Sequence, residues 1–534
     1  MNQVQETGSV SILISDPVDE QCQAIFRAEG YAVEYRTGLS GTALATALQS
    51  ADVLIVRSQT QVSAELLAGA KRLKVIGRAG AGVDNIDVEA ATRQGILVMN
   101  TPGGNTISTA EHTISMMLAL ARNIPQANRS LQDGKWDRKR FVGTEMYQKT
   151  LGVAGLGKVG AEVAKRCLAF GMIVLGYDPI LSPEVAEKMG VQLVELEELF
   201  RRSDILTIHS PLTPETKDLV DARSLALCKD GVRIINCARG GIVNEAALLA
   251  ALESGKVAGA ALDVFEVEPP AGSALVAHPK VVCTPHLGAS TEEAQEKVAI
   301  QIAHQVVEYL KGKSVTGAVN AGPISLAMKR EVRPYLGLAI KMGTLLSQVQ
   351  EGTLRTVEVT ARGTLVGEAL AVLGAAVLQG ILEKKLTDPI NLLNAAFVAH
   401  ERGIRLLLHQ GVADERYANV VAVSYQTESG ERRCAGTVFS ENDARIVEID
   451  GFHCEVRPEG NLLFYRNLDR PGMLAAVSAI LAKAKINIAG LSLGRLGDGG
   501  NALTVISTDS AVSSAILREI SSVEGVSDIR PVIL

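Results

Sequence analysis

Short apolar runs alternate with helical patterns along the first part of the chain. Apolar runs typical of buried strands lie at residues 10–14, 53–56, 74–77, 151–154, 172–177, 205–209, 232–236, 258–263 and 281–283. Helical patterns lie between and after them, among others at residues 19–29, 108–122 and 291–310. Strands that alternate with helices predict parallel sheets covered by helices on both faces. We therefore expect an α/β fold with two doubly wound, Rossmann-like domains in succession.

The pattern changes beyond residue 320. Helical patterns at 334–349 and 368–382 mix with strand-like runs at 354–360, 419–427 and 432–439, which indicates an intervening α+β domain. The last segment predicts six elements, at 461–465, 471–484, 486–493, 502–508, 513–523 and 526–533. Their order is βαββαβ, which is typical of the ferredoxin-like split unit.

At 534 residues the chain is too long for a single hydrophobic core. We expect a discontinuous first domain of residues 1–105 and 291–321, because the helix at 291–310 can return to the first sheet. The second domain would span residues 106–290. The intervening domain would follow at 322–457, and the C-terminal βαββαβ domain at 460–534.

A glycine-rich loop follows the apolar run at 151–154. Gly155, Gly157 and Gly160 match G-x-G-x-x-G, in which glycines allow a tight turn, a close pyrophosphate and close helix packing. Such spacing also occurs in ordinary turns, but here strand, loop and helix come in the order that a dinucleotide site requires. Asp178 ends the next apolar run, about 20 residues on, where an acid binds the ribose hydroxyls. Because its carboxylate would repel a 2′-phosphate, we expect NAD rather than NADP.

Composition and charge exclude several other classes of protein. The net charge is −6, with 47% hydrophobic and 21% charged residues, so no basic field for nucleic acid is expected. No apolar run approaches the roughly 20 residues that cross a bilayer, and the N-terminus lacks signal-peptide character. The seven cysteines form no C-x-x-C pair, which argues against disulfides and a structural metal. We expect a cytoplasmic protein that does not bind membranes.

Three polar side chains follow the last three predicted strands of the second domain. They are Arg239, Glu268 and His286. Because open α/β sheets bind ligands at the carboxyl ends of their strands, we expect the three to converge. A histidine base with a carboxylate partner, and an arginine for a substrate carboxylate, suit NAD-linked oxidation of a 2-hydroxy acid. Taken singly, each has an ordinary alternative as a surface histidine, a structural ion pair or a solvated loop.

Five segments carry a resemblance to a known family. They are R-S-Q-T at 57–60, G-R-A-G-A-G-V-D-N-I-D at 77–87, N-T-P-G-G-N at 100–105, N-C-A-R-G-G at 236–241 and P-H-L-G-A-S at 285–290. With them, residues 8–320 resemble the D-3-phosphoglycerate dehydrogenases, a branch of the D-isomer-specific 2-hydroxyacid dehydrogenases. The terminal segment resembles the ACT regulatory domain through N-L-D-R-P-G at 467–472 and through Asn487. The residues between resemble the intervening domain of the long form by position.

The resemblance implies a role for each matching residue. Arg239 would orient the substrate, His286 would be the acid/base, and Glu268 would be its partner. NAD would contact Gly155, Gly157, Lys158, Val159, Gly160, Asp178, Ser210, Cys237, Ala238, Arg239, Asp263, His286, Gly288 and Ala289. Substrate would contact Arg57, Ser58, Gly80, Ala81, Arg239 and His286. Members of the family often have threonine or serine at position 81, so Ala81 would offer only its backbone.

The resemblance also implies a reaction and partners. The reaction is NAD-dependent oxidation of 3-phospho-D-glycerate to 3-phosphooxypyruvate, the first step of L-serine synthesis, by a homodimer or homotetramer. The basic run Arg138, Lys139 and Arg140 either reaches a neighbouring subunit's active site or is a solvated loop. ACT domains commonly bind amino acids at paired domain edges, where Asn467, Asp469 and Asn487 would bind L-serine as an effector, and a purely dimerising domain is the alternative.

Two other functions compete with this interpretation. A dehydrogenase of glyoxylate, hydroxypyruvate or lactate would share Arg239, Glu268 and His286, and would differ in the phosphate site and the C-terminal domains. A nucleotide-sensing regulator without turnover is the alternative from a different class. The complete catalytic set disfavours it.

Overall fold

The computed structural model describes residues 10–321, 324–387, 389–496 and 500–534. Within these ranges the chain forms four β-sheets with helices packed against them. The predicted α/β class, with parallel sheets followed by a mixed sheet and a βαββαβ unit, is confirmed. The predicted domain boundaries stay a prediction.

The first sheet is parallel and has the strand order β2-β1-β3-β4-β5. Its strands are β1 (Ser11–Ile14), β2 (Ala32–Tyr35), β3 (Val53–Val56), β4 (Val75–Arg78) and β5 (Leu97–Met99). Its helices are α1 (Glu20–Ala28), α2 (Gly41–Leu48), α3 (Ala64–Ala68) and α4 (Val88–Arg93). Side-chain caps define several helix starts, since Asp19 accepts the Gln21 amide and Asp87 accepts the Ala90 amide.

The second sheet is also parallel, with seven strands in the order β12-β11-β10-β9-β6-β7-β8. The helices before it are α5 (Thr106–Ala121) and α6 (Ile124–Gln132), followed by a 3-10 helix (Arg138–Phe141). The strands are β6 (Thr150–Ala154), β7 (Ile173–Tyr177), β8 (Gln192–Leu193), β9 (Ile205–Ile208), β10 (Val232–Asn236), β11 (Val257–Leu262) and β12 (Val281–Cys283). The helices among them are α7 (Lys158–Ala169), α8 (Pro183–Lys188), α9 (Leu196–Arg202), α10 (Ala222–Leu227), α11 (Glu245–Ser254) and α12 (Ala274–Ala277).

Helix α13 (Glu292–Leu310) leaves the second sheet and packs against α1 and the first sheet. Its buried face joins a hydrophobic cluster that contains residues of β1, β3 and β5. The same cluster continues into the following two sheets, whereas the second sheet has clusters of its own. The apolar core therefore joins the first sheet to the C-terminal half of the chain.

The third sheet is mixed, with the strand order β14-β13-β15-β16-β17-β18. Its strands are β13 (Leu354–Arg362), β14 (Arg405–Gln410), β15 (Val420–Thr427), β16 (Gly430–Ser440), β17 (Asp443–Ile449) and β18 (Phe452–Val456). Its helices are α14 (Ile324–Ala327), α15 (Arg333–Val349), α16 (Thr364–Glu368), α17 (Leu370–Leu382) and α18 (Ala395–Glu401). Asn391 and Asn394 join this unit to the first, because their side-chain amides donate to the Gly95 and Arg93 carbonyls.

The helix predicted at 368–382 is confirmed as α17, which begins at Leu370 because the backbone of Ala369 (φ −88°, ψ 4°) separates it from the short helix α16. Three of the six strands were missed, β14 among them. Most of β14 is exposed, so its side chains show no alternation of apolar and polar positions.

The fourth sheet has the order β20-β21-β19-β22 and is antiparallel. Its elements are β19 (Asn461–Leu468), α19 (Met473–Lys483), β20 (Ile488–Arg495), β21 (Asn501–Thr508), α20 (Ser514–Ser521) and β22 (Val526–Ile533). This is the predicted βαββαβ order. Arg432 of the third sheet forms ion pairs with Asp450 and Asp528, which joins the third and fourth sheets. Within the described ranges, no helix is long and apolar enough to cross a membrane.

Candidate active site

The glycine-rich loop lies between β6 and α7, as its sequence predicts. Gly155 has φ 95°, and a methyl group there would contact the His209 carbonyl at 2.8 Å. A methyl group on Gly160 would lie 2.0 Å from the Gly155 carbonyl oxygen. Only glycine therefore permits this approach of helix to strand. Lys158 and Val159 open α7, and the Lys158 ammonium donates to the Pro102 carbonyl at 3.0 Å.

Gly157 differs from Gly155 and Gly160, because a methyl group on it would meet no atom within 4 Å. It caps α7 without a side-chain hydrogen bond, so the first amides of that helix are available for an anion. The hydroxyl of Ser210, after β9, is buried and has no hydrogen-bond partner. An open cradle at a helix N-terminus and an orphaned buried hydroxyl fit a bound dinucleotide.

Asp178 follows β7 beside the loop. One carboxylate oxygen accepts the Leu156 amide at 2.9 Å, and the other accepts the amides of Ile180 and Leu181. A carboxylate has about four acceptor sites, so these three bonds leave room for a ribose hydroxyl. The position agrees with the predicted preference for NAD.

His286 and Glu268 lie together after β12 and β11. The Nδ1 of His286 is 2.8 Å from Glu268 Oε2, and the Phe265 amide donates to Oε1 at 3.1 Å. The hydrogen bond to Glu268 raises the pKa of His286 above its ordinary value, against the effect of burial. Burial alone would raise the pKa of Glu268, but the hydrogen bond and charge of His286 lower it overall. This arrangement leaves His286 Nε2 for the substrate.

Arg239 lies at the carboxyl end of β10, on a turn shaped by Asn236. The side chain of Asn236 is buried, donates to the Arg239 carbonyl and accepts the Ala238 amide. The guanidinium of Arg239 donates to Asp84 Oδ2 at 3.1 Å and to the Ala238 carbonyl at 2.7 Å. Asp84 belongs to the loop after β4, so this ion pair crosses between the first two sheets. Cys237, in the same turn, is buried, and burial raises the pKa of its thiol to about 12.

The predicted substrate residues surround the carboxyl end of the first sheet. Arg57 and Ser58 follow β3, and Arg57 donates to the Gln295 side chain at 3.2 Å. Gly80 and Ala81 follow β4, where the Thr101 amide donates to the Gly80 carbonyl. Ala81 is partly buried, and its carbonyl accepts the side-chain amide of Asn100.

Arg78, the last residue of β4, also lies in the site, although it was not predicted as a site residue. Its guanidinium lies so close to Gly80 that a methyl group there would be 1.9 Å from a terminal nitrogen. The Nε is buried and has no hydrogen-bond partner. Burial, and then the charge of Arg239, lower the pKa of Arg78 to about 10. Its position at the end of a strand is the same signal that singled out Arg239.

Asp263, predicted to contact NAD, is fully buried directly after β11. Its carboxylate accepts the Leu287 amide at 2.7 Å, the Gly288 amide at 2.8 Å and the Thr284 hydroxyl at 2.6 Å. Ala289 follows in the same segment. Asp263 thus holds the segment that carries His286.

Arg138, Lys139 and Arg140 lie in the exposed 3-10 helix, where Arg140 stacks over Phe141 at 5.7 Å. Apolar side chains around them are exposed as well: Trp136 is 78% exposed, Val142 80% and Tyr147 63%.

The three predicted effector residues are not together in one chain. Asn467, at the end of β19, is opposite Ala502, whereas the other end of that strand is opposite Thr508, close to Asn487. Asn467 accepts the Thr504 hydroxyl, Asp469 pairs with Arg495, and Asn487 donates to Asp509. Within one chain, β19 thus separates Asn467 from Asn487 by its length. The role of the three residues as effector ligands at paired domain edges stays a prediction.

Three family models match the chain. Residues 114–288 match the NAD binding domain of the D-isomer specific 2-hydroxyacid dehydrogenases. Residues 331–450 match the D-3-phosphoglycerate dehydrogenase intervening domain, and residues 461–525 match the ACT domain.

Curated relatives match over almost the whole chain. The D-3-phosphoglycerate dehydrogenase of Archaeoglobus fulgidus is 44% identical over 97% of this chain and 99% of its own. Those of Bacillus subtilis and Homo sapiens are 43% and 44% identical, over 90% and 91% of this chain and 92% and 93% of theirs.

Solved structures match somewhat more than half of the chain. A glyoxylate reductase from Paecilomyes thermophila has a TM-score of 0.54 and 30% identity over 59% of this chain and 99% of its own. A D-lactate dehydrogenase from Aquifex aeolicus, complexed with NAD and lactic acid, has a TM-score of 0.51 and 30% identity over 57% of this chain and 96% of its own.

Gly157→Ala is expected to weaken NAD binding without destabilising the protein. The φ of −63° suits alanine and the methyl group meets no protein atom, but it would occupy the space over the α7 amides. We expect the free energy of unfolding to change by less than about 1 kcal/mol, and the Kd for NAD, measured by calorimetry, to rise at least tenfold. Gly337→Ala, equally open but inside α15, is the control. An unchanged Kd would contradict this placement of the cofactor.

Proposed function

The chain belongs to the D-3-phosphoglycerate dehydrogenase family, and we propose that it oxidises 3-phospho-D-glycerate to 3-phosphooxypyruvate, the first step of L-serine biosynthesis. It is an NAD-dependent oxidoreductase. The observation that supports this substrate is Arg78, whose buried Nε has no hydrogen-bond partner and whose guanidinium lies close to Arg57 and Arg239, next to the His286–Glu268 pair.

The charges of these arginines suit this substrate. A phosphate with a second pKa near 6 and a carboxylate carry together roughly three negative charges at neutral pH. Three guanidinium groups supply the matching positive charge and can form paired hydrogen bonds to both groups. We assign the phosphate to Arg57 and Arg78, with the Gly80–Ala81 turn and Ser58 beside it, and the carboxylate to Arg239.

His286, Glu268 and Arg239 have different roles in oxidising the substrate hydroxyl. Neutral His286 accepts the hydroxyl proton at Nε2 while its Nδ1 donates to Glu268. Glu268 then stabilises the imidazolium, because its carboxylate remains ionised. Arg239 holds the substrate carboxylate and the developing carbonyl. NAD, when bound, supplies the hydride-accepting nicotinamide.

The cofactor residues form one continuous surface along the ends of the second sheet. The α7 amides with Gly155, Gly157, Lys158, Val159 and Gly160 would hold the pyrophosphate, and Asp178 the adenosine ribose. Ser210, Cys237, Ala238, Asp263, Gly288 and Ala289 would line the path to the nicotinamide.

A homo-oligomer explains the exposed apolar surface near the basic run. Trp136, Val142 and Tyr147 are largely exposed in one chain, together with Leu131 and Ile124. Exposed apolar patches of this kind mark protein contacts. We propose that this surface pairs two copies, and that Arg138 or Arg140 then reaches the substrate phosphate of the neighbouring subunit.

The ACT domain would bind L-serine between two copies. Asn467 and Asn487 lie at opposite ends of the sheet, so one ligand can contact both only if two such sheets pair edge to edge. The edge strand β20 has exposed Leu491 and Leu493, which suit such pairing. Asp469 and the asparagine side chains would then bind the ammonium and carboxylate groups of serine.

The substrate assignment is tested by NADH absorbance with 3-phospho-D-glycerate and with unphosphorylated D-glycerate. We expect the phosphorylated substrate to be preferred, and Arg78→Gln to raise its KM at least tenfold, since charged hydrogen bonds contribute about 1.5–3 kcal/mol. The KM for D-glycerate should change little. Arg36→Gln, which removes an exposed arginine that pairs with Glu34, is the control. Faster turnover of D-glycerate or lactate by the wild type would contradict the assignment.

Glu268→Gln is expected to shift the pH profile to lower pH. Oxidation needs neutral His286, so kcat/KM rises with pH through the raised pKa of His286, above about 6.5. Without the Glu268 charge that pKa falls, and the midpoint moves down while kcat at the plateau decreases. Glu266→Gln, a neighbouring exposed carboxylate, should keep the wild-type midpoint. A midpoint that stays in place in Glu268→Gln would refute the role of the pair.

L-serine is expected to inhibit the wild type, and Asn487→Ala to abolish that inhibition without changing activity in its absence. The loss follows because the amide side chain would be one of the ligand's partners from the second copy. Steady-state rates with L-serine, and with D-serine as control, measure the effect. No response of the wild type to L-serine would leave the ACT domain as a dimerising unit.

A further inference from the structure

One buried side chain at the cleft has no role in the proposed mechanism. His112 lies on α5, and its side chain is 18% exposed. Its Nε2 is 3.0 Å from the Thr284 hydroxyl and 3.2 Å from Asp263 Oδ1. His112 thus contacts Asp263, which follows β11, and Thr284, which follows β12 and begins the segment that carries His286.

The hydrogen bonds determine which atom of His112 carries a proton. Burial would raise the pKa of Asp263, but hydrogen bonds from His112, Thr284 and the Leu287 amide lower it, so the carboxylate only accepts. The single hydroxyl proton of Thr284 is directed to Asp263 at 2.6 Å. The Nε2 of His112 must therefore carry a proton and donate it to the Thr284 hydroxyl oxygen and the Asp263 carboxylate.

The segment that Asp263 holds has an unfavourable backbone conformation. His286 has φ 55°, in the left-handed region that costs a residue with a side chain about 1–3 kcal/mol. Its amide donates to the Asp263 carbonyl at 2.9 Å, and the next two amides donate to the Asp263 carboxylate. Thr109, one turn before His112 on α5, donates to the Gly288 carbonyl at 3.1 Å.

We propose that His112 is a positioning residue for His286. Its Nε2–H completes the donors around the Asp263 carboxylate and so keeps the segment 284–288 in the one conformation that places His286 against Glu268. The inference rests on the proposed function of His286 as acid/base. It adds a connection from α5, through Asp263, to the segment that carries the proton-transferring side chain.

The test compares His112→Leu, which removes the donor, with His112→Gln, whose amide nitrogen replaces Nε2. His304→Leu, an exposed histidine on α13, is the control. We measure kcat and KM against pH, and the titration of His286 by NMR in protein with labelled histidine. The charged groups that face His286 are Glu268, Asp263 and Arg239, and none of them is altered.

We expect His112→Leu to lower kcat at least tenfold and to shift the titration of His286 to lower pH, because its contact with Glu268 is loosened. His112→Gln should stay within about threefold of the wild type in kcat and keep its titration midpoint. If His112→Leu does not fold, His112→Phe serves in its place.

A variant that loses thermal stability or kcat, but keeps the wild-type titration of His286, would overturn the proposal and leave His112 a structural residue. The titration uses no substrate. It therefore decides on His112 even if 3-phospho-D-glycerate is not oxidised, which would be a failure of the proposed function alone.

Discussion

Two buried carboxylates hold the polar loops on which the candidate active site depends. Asp16 is 1% exposed and Asp263 is fully buried, each just after a strand of its own sheet. A buried carboxylate without donors costs several kcal/mol, so nearby backbone amides must turn toward it. Asp16 accepts the amides of Arg57, Gln59 and Thr60, and Asp263 accepts those of Leu287 and Gly288. Both sides of the cleft thus use the same interaction to fix a loop that carries a functional side chain.

Positive charge dominates the cleft between the loops that Asp16 and Asp263 hold. Burial, and then the charges of Arg239 and Arg57, lower the pKa of Arg78, while Asp84 and Asp16 offset part of this effect. Because Arg78 Nε also lacks a hydrogen-bond partner, an anion with several oxygens would satisfy both the charge and the orphaned donor. Without a bound anion, the guanidinium groups of Arg57, Arg78 and Arg239 would therefore have a higher electrostatic free energy than in a complex. This difference would favour a substrate that carries both a phosphate and a carboxylate over one that carries a carboxylate alone.

Part of this site follows from the sequence because its signals are local. The Gly155 loop, Asp178, Arg239, Glu268 and His286 all lie on loops that follow predicted strands, where parallel sheets present their ligands. Arg78 directly follows the predicted strand at 74–77, so the same rule would have identified it. Asp16 and His112 were missed for another reason. Their roles depend on partners that are distant in the chain, and no local pattern marks such contacts.

The apolar core limits how the two sides of the cleft can move. One hydrophobic cluster joins the first sheet through α13 to the third and fourth sheets, and the second sheet packs in separate clusters. Pulling the large cluster apart would expose apolar surface to water, at a free-energy cost of about 25 cal/mol per Å². The cleft, in contrast, is crossed by polar contacts such as Arg239–Asp84 and Lys158–Pro102, which cost little to break. Motion of the second sheet against the rest is therefore the least costly rearrangement. The fourth sheet shares this cluster with the sheet that carries Arg57 and Arg78, so a ligand bound there would act on the proposed substrate side of the cleft.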